Sequence, residues 1–406
     1  MFRACSVALA VLVTSAAWSV AARAADPPRR KPLDQGQRTA LLALLNAVDA
    51  AQRADDGGDP SAEHVSWDSH VLKAQHGLAY VPFRLTLIGG AAAPAMKSVA
   101  MYVRAVSRHE GFRTAEEHSR VRNWLTRGGD APAPRQETIF IGPGEMPVGG
   151  PASSSARRSV QAPAEAAAIL SLQQREFERQ KAAEEAAKKK AETNERDPYL
   201  FPFEEYYFFD AKSAPIERAL SLTPGEYDVF VALLDRSPSG MAPPAIIRRS
   251  VTVPDFFNDR LGLSSLMLVS GVRTLNAPLR APQQIERPYA FGRAEIIPVA
   301  SASFTTNDVL SVVFQIFNYG APDADLSIEY TFYHLADGVR RLFNRTPTQE
   351  LTDDNLPPVS PWETQAFTSQ SLALRPFAPG KYELEVTVRD RLTRGTAKQS
   401  VMFSVR

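Results

Sequence analysis

Three histidines, His64, His70 and His76, recur at every sixth residue, with Asp68 between the first two. Imidazole and carboxylate groups ligate transition metals and act as general acids and bases. On one continuous strand this spacing puts all three rings on one face, but successive rings then stand ~20 Å apart, too far for one ion. Ordinary polar-edge histidines are the expectation. Paired carboxylates occur as Glu204-Glu205 and Asp353-Asp354, the residue type of glycoside hydrolysis. Adjacent residues on a strand point to opposite faces, and the second pair runs into the turn-forming Leu356-Pro357-Pro358, so neither pair converges. No G-x-S-x-G elbow or phosphate-binding loop occurs, and His109-Glu110 lacks the second histidine of H-E-x-x-H. Gly142-Pro143-Gly144 is spoiled as a dinucleotide turn by its proline. No catalytic, metal or cofactor-binding residue is assigned, and no cofactor is expected.

One surface candidate remains. The run Tyr199, Phe201, Phe203, Tyr206, Tyr207, Phe208 and Phe209 contains four contiguous aromatics, two of which a strand would turn outward. They could form a protein or glycan contact surface. Alternatively the linker or the helix at 39–55 covers them, since contiguous exposed apolar patches are uncommon on monomers.

The elements that must position these groups are mostly strands. The 406 residues carry formal net charge +1, 31 prolines and a single cysteine, a composition of soluble, turn-rich domains without the charge footprint of a nucleic-acid binder. Residues 1–24 (MFRACSVALAVLVTSAAWSVAARA) have a basic start, a short apolar run and a small-x-small site at Ala22-Arg23-Ala24, the pattern of a cleaved signal peptide. Export to the periplasm or beyond is therefore expected, with Cys5 leaving the mature chain. No later apolar run approaches membrane length.

Residues 39–55 repeat Leu41, Leu44, Leu45 and Val48 at helical spacing and should dock as an amphipathic helix. Ala79/Val81/Phe83/Leu85/Leu87 and Val99/Met101/Val103/Ala105 alternate with Arg84, Thr86, Tyr102 and Arg104, as in half-buried antiparallel strands. Residues 128–163 are rich in Pro, Gly and Ser and read as a loop. Residues 164–196 read as a solvated charged helix, with Glu184–Lys188 and Glu185–Lys189 four apart. The lysine run Lys188 to Lys190 is offset by neighbouring glutamates, and no nucleic acid is expected as partner.

From Tyr199 onward turn signals recur about every ten residues, and a repeat organises the chain. RALSLTPGEYDVFVALLD (218–235) matches SLALRPFAPGKYELEVTVRD (371–390), and each is followed by a second apolar strand. Pro224-Gly225 and Pro379-Gly380 should make tight turns in which glycine takes positive φ. Tyr227 and Tyr382 should then lead the two inward faces. This divides the chain into signal peptide 1–24, lead and helix 25–63, module 64–254 with an insertion at 108–198, linker 255–289, and module 290–406.

The Pro-Gly-x-Tyr strands resemble the tyrosine-corner region of fibronectin type III and other immunoglobulin-like modules. With SVTVPDF…LGLSSLMLVSGV (250–272) and ERPYAFGRAEIIP (286–298), the chain resembles exported tandem β-sandwich proteins of soil bacteria, especially Acidobacteria. Related modules there accompany von Willebrand-like and Gly-Trp-x-Thr-Asp proteins, but this chain has no Gly-Trp-x-Thr-Asp string and no Asp-x-Ser-x-Ser metal site. The resemblance implies a mainly β fold of two immunoglobulin-like sandwiches and no particular activity. The expected function is a non-catalytic interaction or structural protein of the cell envelope, partnered by a protein or glycan there. A carbohydrate- or peptide-binding module using the aromatics, and a hydrolase with scattered carboxylates, are the alternatives.

Overall fold

The computed structural model describes residues 31–54, 65–74, 77–87, 98–108, 118–128, 131–132, 200–210, 215–237, 243–320, 324–352, 356 and 365–406. Residues 1–24 read as a leader, His64, His76, Tyr199, Asp353, Asp354, most of the segment 128–163 read as a loop and the segment 164–196 read as a charged helix lie outside the described residues.

The chain is mainly β. Helix α1 (Gln35–Ala54) opens with a reciprocal cap, in which Gln37 N donates to Asp34 Oδ1 (2.7 Å) and Asp34 N donates to Gln37 Oε1 (3.0 Å). Strands β1 (Val65–Ser69) and β2 (Leu72–Lys73) share one edge of β3 (Ala79–Leu87), and β6 (Ile216–Leu222) takes the other. The edge divides opposite Pro82, which has no N–H to give a ladder. A second sheet runs β5 (Phe203–Asp210), β4 (Ser98–Ser107), β7 (Gly225–Asp235), β8 (Ala245–Val253). The two sheets close over Val81, Phe83, Leu85, Leu220, Met101, Val103, Val229 and Val231, the inward sets that the alternation specifies.

The second pair of sheets repeats the plan. One runs β11 (Ala290–Phe291), β12 (Ala294–Pro298), β10 (Met267–Thr274), β14 (Val309–Phe317), β18 (Gln365–Ala373), with β9 (Gly262–Leu263) also on β14. The other runs β13 (Ser303–Phe304), β20 (Thr396–Val405), β19 (Gly380–Asp390), β15 (Asp325–Ala336), β16 (Val339–Arg345), with β17 (Gln349–Thr352) on β15. Leu310, Val312, Phe314 and Ile316 meet Tyr382, Leu384, Val386 and Val388 between them.

Residues 255–289, read as a linker, hold β9, β10 and the short helix α3 (Ala281–Glu286), and β10 hydrogen-bonds to β14 and β12. They belong to the second pair of sheets. A two-residue strand and a register shift between Val269 and Gly271 interrupt the alternation that would have marked them.

The layers stack in order. Leu72, Ala74 and Tyr80 on the outer side of the β3 sheet pack against Met267, Val269, Tyr289, Phe291, Ile296, Val313 and Phe367 of the β14 sheet. At the other end, α1 and α2 (Arg120–Arg127) cover the outer face of the β4 sheet through Leu41, Leu44, Leu45, Val48 and Val121 against Ala100, Tyr102, Tyr206, Phe230 and Ala232. Each fully buried leucine or valine there contributes about 1.5–3 kcal/mol. The half-buried expectation for β4 is therefore corrected: Tyr102 and Arg104, on its polar-reading side, are fully buried by the helices.

Candidate functional site

Among the described residues, a dense gathering of reactive side chains lies beneath this helical cap. Alternation along β4 turns Tyr102 and Arg104 outward, toward α1, whose helical repeat delivers Asp49 and Gln52 to the same place. Arg104 Nη1 donates to Asp49 Oδ1 (2.7 Å) and Gln52 Oε1 (3.0 Å), and Arg104 Nε donates to the Tyr102 hydroxyl (2.9 Å). That hydroxyl and Ser119 Oγ both donate to Glu204 Oε1, while Val121 N donates to Glu204 Oε2 (3.3 Å). Arg122 pairs with the other oxygen of Asp49. Phe201 closes the pocket with its ring 4.2 Å from the Arg104 guanidinium.

Two cations and two carboxylates so balance. Burial opposes the Arg104 charge, but Tyr102, Glu204 and Asp49 outweigh it and hold its pKa above the ordinary value. Burial, reinforced by Glu204, pushes the Tyr102 hydroxyl well above the usual phenol range, so it stays protonated and keeps donating. Every carboxylate oxygen is committed to a partner within the fold. The arrangement locks α1 and α2 to the sheet, because removing any one charge strands the others without water.

The paired carboxylates of the sequence separate as strand geometry requires. Glu204 enters this network, whereas Glu205 lies on the opposite face and accepts from the backbone N–H of Tyr206 (2.9 Å). The described part of the aromatic run is buried or half-buried, and the docked helix α1 packs in one cluster with Tyr206 and Phe208. Phe201, Phe203 and Tyr206 are buried, with Tyr206 stacked on Trp124 of α2. Tyr207, Phe208 and Phe209 are half-buried, and arginines lie over them: Arg236 on Phe208, and Arg218 on both Tyr207 and Phe209. Sequence reasoning assigned no role to Arg104, Asp49, Ser119 or Arg218. The one available signal was the placement of arginine and tyrosine two residues apart on a strand flanked by a docking helix.

His70, the described member of the histidine series, sits in the seam between the two pairs of sheets. Its Nδ1 lies 3.2 Å from the Tyr289 hydroxyl, and its Nε2 is 3.9 Å from Asp68. Burial lowers its pKa, Asp68 opposes that, and Arg84 adds to it. Nearby, Arg84 holds Glu217 and donates to the carbonyls of Pro298 and Val299, Tyr80 donates to Pro288 O (2.9 Å), and Lys73 N donates to Gln315 Oε1 (2.8 Å). Among the described residues no three His, Cys, Asp or Glu side chains gather as a metal site.

Both structural tyrosines turn their hydroxyls back on the chain four residues upstream. Tyr227 donates to Thr223 O (2.9 Å) and Tyr382 to Ala378 O (2.8 Å). Gly225, after Pro224, has φ +152° at the start of β7, but Gly380, after Pro379, has no positive φ, so a positive φ is found only in the first copy. Glycine serves space in the second, where a Cβ would come within 2.5 Å of His334 Nε2.

No family model and no curated protein matches the chain. Solved structures align at low similarity. A β-glucuronidase of Bacteroides uniformis aligns at 10% identity and TM-score 0.25, covering 81% of this chain and 26% of that one. Red sea bream transglutaminase aligns at 8% and 0.18, covering 84% and 31%. The α-2-macroglobulin of E. coli aligns at 11% and 0.19, covering 84% and 16%. The chain spans less than a third of the length of each, and at these TM-scores the likeness carries no argument. Among the described residues no helix is long and apolar enough to cross a membrane.

Proposed function

We propose that the chain is an exported, non-catalytic scaffold of the cell envelope, built from two immunoglobulin-like β-sandwiches fused back to back. The immunoglobulin-like reading is supported by the strand orders, β1/β2–β3–β6 facing β5–β4–β7–β8 and its counterpart, and by a tyrosine corner in each. Export rests on the leader-like residues 1–24, and kinship with secreted tandem β-sandwich proteins of soil bacteria on the Pro-Gly-x-Tyr repeat.

The observation that carries the scaffold reading is the use of the Arg104–Asp49–Glu204–Arg122 cluster. The acids and bases densest in the described fold are bonded to one another and hold a cap in place. The test is cross-linking in intact envelopes combined with turnover assays on glycoside and peptide substrates. A stoichiometric envelope protein or glycan captured without turnover is expected. Hydrolysis that disappears in Glu205→Gln, a variant outside the Arg104 network, would overturn the reading.

A further inference from the structure

Arg84, Arg104 and Arg218 are buried arginines of the described structure. Arg84 directs Nε and Nη2 onto Glu217 at 2.9 and 2.6 Å, and Arg104 is held by Asp49 and Glu204. Arg218 differs. It shares the inward face of β6 with Ile216 and Leu220, and its guanidinium crosses to the edge of the facing sheet, 4.8 Å from the Tyr207 ring and 4.5 Å from the Phe209 ring. Its one hydrogen bond, from Nη1 to the carbonyl of Glu217 (2.6 Å), goes to backbone, and its buried Nε has no partner. Glu286 and Glu217 act on it only at longer range than an ion pair, and burial lowers its pKa.

A buried cation without a counter-charge is costly, and the cost falls when a charged acceptor takes up its free donors. The donors left over are informative. With Nη1 occupied, the side-on edge of Nε and Nη2 remains, the planar fork that takes a carboxylate through two parallel bonds. Arg287 shows this fork filled, Nε on Glu295 Oε1 at 2.7 Å and Nη2 on Oε2 at 2.6 Å. The two rings fix the guanidinium plane and so preorganise the open edge. The geometry points to Arg218, walled by Tyr207 and Phe209, as a binding site for a carboxylate group between the edge strands β5 and β6 of the first pair of sheets. This goes beyond the scaffold reading: loss of either leaves the other standing.

The probe is acetate, with chloride at equal ionic strength as control, followed by the Nε–Hε resonance of Arg218 in the purified chain. Acetate should shift that resonance saturably and raise the melting temperature above the chloride value, while the Arg287 resonance stays still. In Arg218→Lys, which keeps the charge but loses the fork, the acetate-specific rise should vanish. A glutamyl peptide with blocked ends separates the sources. Tighter binding than acetate marks a side-chain carboxylate, and equal or weaker binding a free one. An unmoved Arg218 resonance, an undiminished response in Arg218→Lys, or preference for sulfate over acetate would overturn the proposal. The wild-type titration decides alone if Arg218→Lys does not fold.

Discussion

The two pairs of sheets share an interior and differ in what lies outside it. β7 and β19 both run Gly-x-Tyr into an alternating strand, and Tyr227 and Tyr382 are buried with hydroxyls on the carbonyl four residues back. On the opposite side of β7 stand Phe230 and Ala232, covered by α1. On that side of β19 stand Glu383 and Glu385, half-buried and paired with the more exposed Arg340. The corner and inner face are thus the constant part of the plan. The outer face is free to vary: apolar, it recruits helices and must bury a charge network with them; charged, it pairs across neighbouring strands at partial exposure.

That contrast can be broken at its ends. Arg104→Met should have the largest effect, because it leaves Asp49 and Glu204 buried against fewer partners, and truncating such pairs costs about 3–5 kcal/mol. Urea unfolding should show the loss, with α1 released from the sheet. Gly380→Ala comes next, at about 1–3 kcal/mol from overpacking against His334. The double variant with His334→Ala should recover most of it. No partner truncation should rescue Gly225→Ala, where backbone φ rather than space is the constraint.

The seam should respond to acid. Burial depresses the His70 pKa, with Asp68 opposing and Arg84 adding, so the unfolded chain binds the proton more readily than the folded one. Stability from this group is full above about pH 6.5, the ordinary histidine value, and falls as pH drops through the lowered one. Melting temperatures across pH 4–8 should decline on the acid side, and less in His70→Gln. The smallest effect belongs to Glu383→Ala, at most about 1 kcal/mol for a partly exposed ion pair.

The inner faces were legible because period-two alternation names the residues that share a side, and α1 because its leucines recur at helical spacing. The same alternation cannot say whether the opposite side is covered. Tyr102, Arg104 and Glu204 read as polar neighbours of core residues, and only docking of α1 and α2 makes them interior. β9 and β10 escaped because a two-residue strand and a bulge break the pattern. Arg218 escaped because an arginine in an apolar strand carries no mark of whether its partner is a carboxylate or a pair of rings.

Hydrogen exchange on Tyr227→Ala and Tyr382→Ala tests most directly the claim that the two tyrosines hold equivalent corners of two separate cores. Each truncation should cost about 3–5 kcal/mol within its own core. Tyr382→Ala should strip protection from β15, β19 and β20 while β4, β7 and β8 keep theirs, and Tyr227→Ala should do the reverse. Protection lost equally in both sets of strands, or in neither, would contradict the claim.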